Sequence, residues 1–307
     1  MSDEIPMVGK AIKLAPDLQR ILAPNVSPMT CWGTNTYIVG DRDVVIIDPG
    51  PDDPAHLAAI LHALKGRHVS CILVTHSHID HSGLASPLSA ATNAPIAAFG
   101  DSRAGRSDVM SDLVARGLAT GGEGVDHSFT PDQTLKDGEN LDGSWGRVTA
   151  VHTPGHMANH MCFHWNDIIF TGDHVMGWAS SVISPPDGDL TQFMQSCKKL
   201  AVIPCARFLS AHGAPIETPA ERLEWLLAHR YAREAQIISQ LEQGAATISE
   251  LTDSLYRGLS PGLRVIAQRN VFAHAIDLTL RGQIVAKPDL QFDAKYQLFK
   301  ALSVERK

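Results

Sequence analysis

The chain has 307 residues, 44% hydrophobic and 19% charged, the balance of a globular protein able to bury a sizeable core. Collagen, disorder and a coiled coil are thereby excluded, leaving one large catalytic domain or a medium domain with a small one. The net charge of −7 is uneven, with 12 Lys and Arg against 10 Asp and Glu in residues 218–307 but 14 against 23 in residues 1–217, so the first part is a poor general attractor of phosphate unless bound cations offset its acidity.

The opening MSDEIPMVGK has neither the positive segment nor the apolar run of a secretory signal, so a cytoplasmic chain starting near Met1 is expected. LAAILHALK is interrupted by His62 and closed by Lys65, and no 18-residue apolar run is present, so no membrane span is expected. From residue 31 to 175, short β-branched runs punctuated by Gly, Pro and Asp predict strands: TNTYIVG, DVVIIDPG, VSCILVT, PIAAFG, RVTAVHTPG and DIIFTGD. Between two of them, Leu57, Ile60, Leu61 and Leu64 recur at helical spacing over Pro54–Leu64. The alternation indicates an α/β fold.

From Pro219 the pattern becomes helical, with Leu223, Leu226, Leu227, Ile237, Ile238 and Leu241 on one side, ended by Gly244. A boundary near residue 218 follows, giving a catalytic domain over 1–217 and a small domain over 218–307. Thr247 and Glu250 have capping-box spacing, and Ser260-Pro261 reads as an N-cap with a first-turn proline. A third helix runs to Gly282, and IVAKPDLQF suggests a short strand or wing before a last helix; together these predict a winged-helix-like α domain. Cys31, Cys71, Cys162, Cys197 and Cys205 form no CxxC pair and read as small buried residues rather than a disulfide framework.

The chemistry concentrates in Thr75-His76-Ser77-His78-Ile79-Asp80-His81, directly after the apolar run Val69–Val74. Imidazole and carboxylate are good zinc ligands, and a loop leaving a strand can turn successive side chains toward one point. Three later segments repeat the placement: His156 in VHTPGH, Asp173 in IIFTGD and His212 in FLSAHG. Seven donors, carboxylates among them, suit two divalent metals sharing a bridging ligand and a bridging water.

HSHIDH, TPGH, TGD and AHG, in this order, resemble the metallo-β-lactamase superfamily, whose fold is an αββα sandwich with the metals at one edge. The resemblance covers residues 31–217 and implies that His76, His78 and His156 hold one metal, that Asp80, His81 and His212 hold the other, and that Asp173 bridges them. His rather than Glu at the second position of HxHxDH argues against the diiron flavoprotein branch and favours Zn2+, with iron or manganese left open by residue type. The segments GDHVMGWASSVISPPDGDL and HRYAREAQII, with the helical tail, are similar to the beta-lactamase-like protein 2 group. That group is described as single-stranded RNA endonucleases or, by looser analogy, as glyoxalase-II-like thioester hydrolases.

The activity expected is a binuclear hydrolase using a metal-bridging hydroxide on a small acyl substrate: a thioester, lactone or ester. Asp80 is expected both to ligate and to orient the nucleophile. His160 and His174 are candidates for the general acid, and Asp48 in IIDPG is a candidate anchor of the HSHIDH loop or a plain turn residue. Asn35, His152, His164 and His274 read as packing residues, and the loop Trp178–Asp189 as one wall of the pocket. The alternative is a single-stranded RNA endonuclease, in which Arg230, Arg233, Arg264 and Arg269 track phosphates. A third reading, the tail as a DNA reader, is disfavoured by a third helix carrying only Arg264 and Arg269 against Asp277. The tail also leaves a lid or a homodimer interface open.

Overall fold

The computed structural model describes residues 5–118 and 124–299. Seven strands, β1 (Ile12–Ala15), β2 (Leu18–Leu22), β3 (Asn35–Val39), β4 (Asp43–Ile47), β5 (His68–Leu73), β6 (Ile96–Ala98) and β7 (Gln133–Thr134), lie in chain order in one sheet. Pairing is antiparallel from β1 to β4 and parallel from β4 to β7. A second sheet holds β8 (Asn140–Gly143), β9 (Gly146–His152), β10 (Met161–Trp165), β11 (Ile168–Gly172) and β12 (Arg207–Ser210), ordered β12-β11-β10-β9-β8. Only its β11–β12 pair is parallel.

The central strands read as continuous apolar runs because both of their faces are buried. Tyr37, Val39, Val45, Ile47 and Leu73 meet Phe163, Trp165, Phe170 and Leu209 between the sheets, while the alternate residues Ile38, Val44, Ile46 and Ile72 face outward. That outer face is covered by α1 (Pro54–Leu64) and α3 (Ala85–Thr92), which follows the one-turn α2 (Ile79–Ser82). α1 occupies the predicted span, capped by the Asp53 carboxylate on the His56 amide at 2.8 Å. After α4 (Asp108–Ala115), α5 (Leu190–Leu200) and the first turns of α6 (Pro219–Glu242) cover the second sheet with Leu190, Phe193, Cys197, Leu223 and Leu226. The layers are helix, sheet, sheet, helix.

The tail continues through β13 (Ala246–Thr247), α7 (Ile248–Leu255), α8 (Pro261–Leu280), β14 (Ile284–Lys287) and β15 (Lys295–Leu298), its strands ordered β13-β15-β14. The capping box forms as expected, with the Glu250 amide donating to Thr247 Oγ1 and the Thr247 amide to Glu250 Oε2. The expected wing is the hairpin of β14 and β15, in which Tyr296 is buried and its neighbours complete an antiparallel ladder; the last helix expected after it falls on residues 300–307, which lie outside the described residues. Ile237, Leu241, Leu251, Val271, Phe272, Ile276 and Tyr296 form the tail core, joined by Met110 and Leu113 of α4, whereas Ala273 of α8 packs on the second sheet. Among the described residues no helix is long and apolar enough to cross a membrane.

Candidate metal centre

All seven predicted donors lie on loops leaving strand ends or, for Asp80 and His81, on the turn of α2 that follows β5. His78 is the N-cap of α2, which starts the turn carrying Asp80 and His81. Asp48, just after β4, anchors this loop: its Oδ1 accepts from the Thr75 amide, its Oδ2 accepts from Thr75 Oγ1, both at 2.8 Å, and the same Oδ2 lies 2.9 Å from His81 Nδ1. The glycine of TGD has a local reason: Gly172 has φ +49, and a Cβ there would sit 2.6 Å from His160 Nε2 and 2.8 Å from Thr75 Oγ1. Only a glycine lets β11 run this close to the loop and deliver Asp173.

Two donor sets result. His76, His78, His156 and Asp173 form one, and Asp80, His81 and His212 the other, the donor atoms of each lying within 4.8 Å of one another. In the first, His78 Nδ1 is 2.9 Å from His76 Nε2 and 3.2 Å from His156 Nε2. Asp173 faces both sets, its Oδ2 3.7 Å from His156 Nε2 and its Oδ1 3.3 Å from His212 Nε2 and 3.6 Å from His81 Nε2. Asp80 Oδ2 lies 3.3 Å from His212 Nε2. Outer nitrogens fix the rings: His76 Nδ1 on Thr75 Oγ1 at 3.0 Å, His156 Nδ1 on the Val182 carbonyl at 2.6 Å and His212 Nδ1 on the Gly33 carbonyl at 3.1 Å. Such contacts set the tautomer and aim the other nitrogen inward.

Electrostatics separates the sets. Burial, helped by neighbouring imidazoles, pushes His76 down and His78 to about 3, and burial also lowers His156 against the pull of Asp173. His81 and His212 are buried as well, but the carboxylates beside them outweigh that, raising His81 and pushing His212 up to about 9. Against the opposing effect of burial, those two imidazoles hold Asp80 and Asp173 well below the usual carboxylate range.

The residues fit divalent cations. Neutral imidazole and ionised carboxylate are the binding forms, and nitrogens sharing a tetrahedral zinc would sit about 3.3 Å apart, close to the spacings around His78. His81 Nε2 and Asp173 Oδ1 are buried with no hydrogen-bond partner among the described residues, and a cation between them would satisfy both.

A cavity of about 500 Å³ opens on the centre, lined by His78, Asp80, His156, Asp173 and His212. Val182, Ser184 and Asp187 supply the wall expected from Trp178–Asp189, Met29, Val125 and Met176 add apolar surface, and Gly262, Val265, Ile266 and Arg269 of α8 close the far side. His160 and His174, the candidate acids, are fully buried and absent from this lining; His160 Nδ1 sits on Thr153 Oγ1 at 2.9 Å, and burial pushes His174 to about 3. Their place is packing behind the centre. Asn35 does more than pack, because its Nδ2 donates to the Ser210 and Gly213 carbonyls at 3.2 and 3.0 Å and so pins the loop of His212.

Residues 29–212 match the profile of the Metallo-beta-lactamase superfamily. An atrochrysone carboxyl ACP thioesterase of Passalora fulva is 30% identical over 82% of this chain and 72% of its own length. The beta-lactamase-like protein 2 homolog of Drosophila melanogaster is 29% identical over 91% of this chain and 93% of its own. The crystal structure of a beta-lactamase domain protein from Burkholderia ambifaria superposes with a TM-score of 0.80 at 21% identity, covering 97% of this chain and 96% of that one, so the likeness of fold includes the tail. The chain belongs to the metallo-beta-lactamase superfamily and is a hydrolase of that class.

Proposed function

We propose that the chain uses two divalent metal ions, Zn2+ first, to hydrolyse a small acyl substrate, a thioester before a lactone or ester. The cavity carries this reading: a floor of imidazoles and carboxylates faces walls of Met29, Met176, Val182, Val265 and Ile266, with no Phe, Tyr or Trp among the described lining residues. Apolar walls suit an acyl chain, whereas a bound RNA strand calls for aromatic stacking surfaces and a cationic track. The arginines that the endonuclease reading assigns to phosphates are mostly engaged: Arg230 is buried, donating to the Ser181 carbonyl and Asn270; Arg233 lies 4.2 Å over Tyr256; Arg264 makes two 2.8 Å bonds to Asp253. The named thioesterase of Passalora fulva supports the choice of a thioester.

In this reading His76, His78, His156 and Asp173 would hold one cation and Asp80, His81 and His212 the other, with Asp173 facing both donor sets. When bound, the cations supply Lewis acidity toward the carbonyl and a water of lowered pKa. Asp80, whose side chain is 28% exposed toward the cavity, orients the attacking water. The water oxygen bonds to the acyl carbon, the carbon–sulfur bond breaks, and the thiol leaves with one water proton while the other passes to solvent. The tail, read as winged-helix-like with its boundary at 217/218, serves as roof rather than nucleic-acid reader. Free cysteines, three of them buried and pushed up to about 12 by desolvation, support a cytoplasmic, reducing setting.

The test offers zinc-loaded protein an acyl-N-acetylcysteamine thioester and a labelled single-stranded RNA, with Asp80→Ala as blank. Thioester cleavage absent from the blank is expected; RNA cleavage alone, absent from the blank, overturns the reading in favour of the endonuclease.

A further inference from the structure

Arg269 stands apart from the other arginines of the tail. It is half-buried on α8, lines the cavity above the metal centre, and is the one Lys or Arg among the described lining residues. Its Nη1 donates to the Pro185 carbonyl at 2.9 Å, which fixes the side chain and leaves most of its N–H donors without a partner among the described residues. No carboxylate among the described residues forms an ion pair with it. Asp187, in the same lining, is turned to Arg106 at 2.9 Å. Arg281, one helical stretch further on, is by contrast bound to Glu234 and Asp277.

A guanidinium anchored by a carbonyl and without a counter-ion among the described residues, beside the apolar Met29, Met176, Val182, Val265 and Ile266 of the same cavity, has the geometry of a recognition group. We infer that Arg269 binds an anionic group, carboxylate or phosphate, carried by the substrate at a distance from the scissile bond, and so makes α8 a specificity element of the hydrolase. The inference rests on the acyl-hydrolase reading and narrows its substrate class to anionic acyl compounds. Val265 and Ile266, one turn earlier on the same helix, would then pack against the apolar stretch between the reacting carbonyl and the anion. Two sources share this chemistry: a carboxylate ending the acyl chain, or a phosphate on the thiol arm.

Three thioesters separate the sources. Hexanoyl-N-acetylcysteamine is neutral, adipoyl-N-acetylcysteamine ends its acyl chain in a carboxylate, and hexanoyl-phosphopantetheine carries phosphate on the leaving thiol. Each is assayed with the full-length, metal-loaded wild type, Arg269→Gln and Arg269→Lys, and the readout is the KM of each anionic thioester relative to the neutral one. That ratio is expected to rise roughly tenfold in Arg269→Gln for one anionic substrate, the loss of a charge-assisted contact at a partly exposed site, with partial recovery in Arg269→Lys. The substrate that responds identifies the source. A purely structural role, acting through Pro185, would move all three KM values together, and ratios constant within twofold overturn the inference. Failure of the wild type to turn over any of the three is a different result: it refutes the acyl-hydrolase reading and the inference with it.

Discussion

The floor and the roof of the cavity are built on opposite principles. The floor is polar, assembled from loops of both sheets, and nearly every ring on it is held by a contact on its outer side: His76 by Thr75, His81 by Asp48, His156 by the Val182 carbonyl, His212 by the Gly33 carbonyl. The roof is one helix presenting Val265, Ile266 and Arg269, its guanidinium positioned among the described residues by a single hydrogen bond. In the proposed reading the contrast makes reactivity and selectivity physically separable: positions on the floor would govern whether a bond breaks, those on the roof which molecule is held.

Mutations can break or sharpen that division. Asp173→Ala removes the carboxylate facing both donor sets, and turnover should fall by about a thousandfold or more together with bound metal, read by elemental analysis; near-normal turnover would remove Asp173 from the floor. Asp48→Asn keeps the shape but loses the charge holding Thr75 and His81, and metal affinity should drop about 10- to 100-fold in a competition titration with a chelator. On the roof, Ile266→Ala should raise KM for a hexanoyl thioester about 3- to 10-fold by removing apolar contact, while bound metal stays at the wild-type level. Loss of metal in that variant would erase the distinction between roof and floor.

The smallest effect concerns stability beneath the floor. His56 is buried, 2.8 Å from Thr36 Oγ1, and burial pushes it down to about 4. A depressed imidazole favours the folded state above the ordinary histidine pKa, and that contribution is lost as pH falls from about 6.5 toward 4. Between pH 7 and 5.5 wild type should therefore lose about 1 kcal/mol more than His56→Gln in urea unfolding; equal losses would show that His56 does not titrate on unfolding in this range.

The floor was legible because metal donors are polar side chains placed against the apolar strands that carry them, so HSHIDH, TPGH, TGD and AHG stand out by composition alone. What supports those donors was less visible. Val182 and Gly33 act through backbone carbonyls, which leave no mark in residue type, and Asn35 works across 175 residues of chain on Ser210. The roof was hidden for a different reason: Val265 and Ile266 look like any apolar positions of a helix, and nothing local says which partner they face. β1 and β2 escaped notice because Lys13, Asp17 and Arg20 interrupt their apolar pattern, although Arg20 is itself buried in the fold. β15 was hard to read for a reason of length, since its four residues are too few for periodicity to separate strand from helix.

The order of synthesis gives the roof a further meaning. Every donor, from His76 to His212, leaves the ribosome before Gly262 does. In the proposed reading the residues that would hold the ions are therefore all encoded ahead of the helix that covers them.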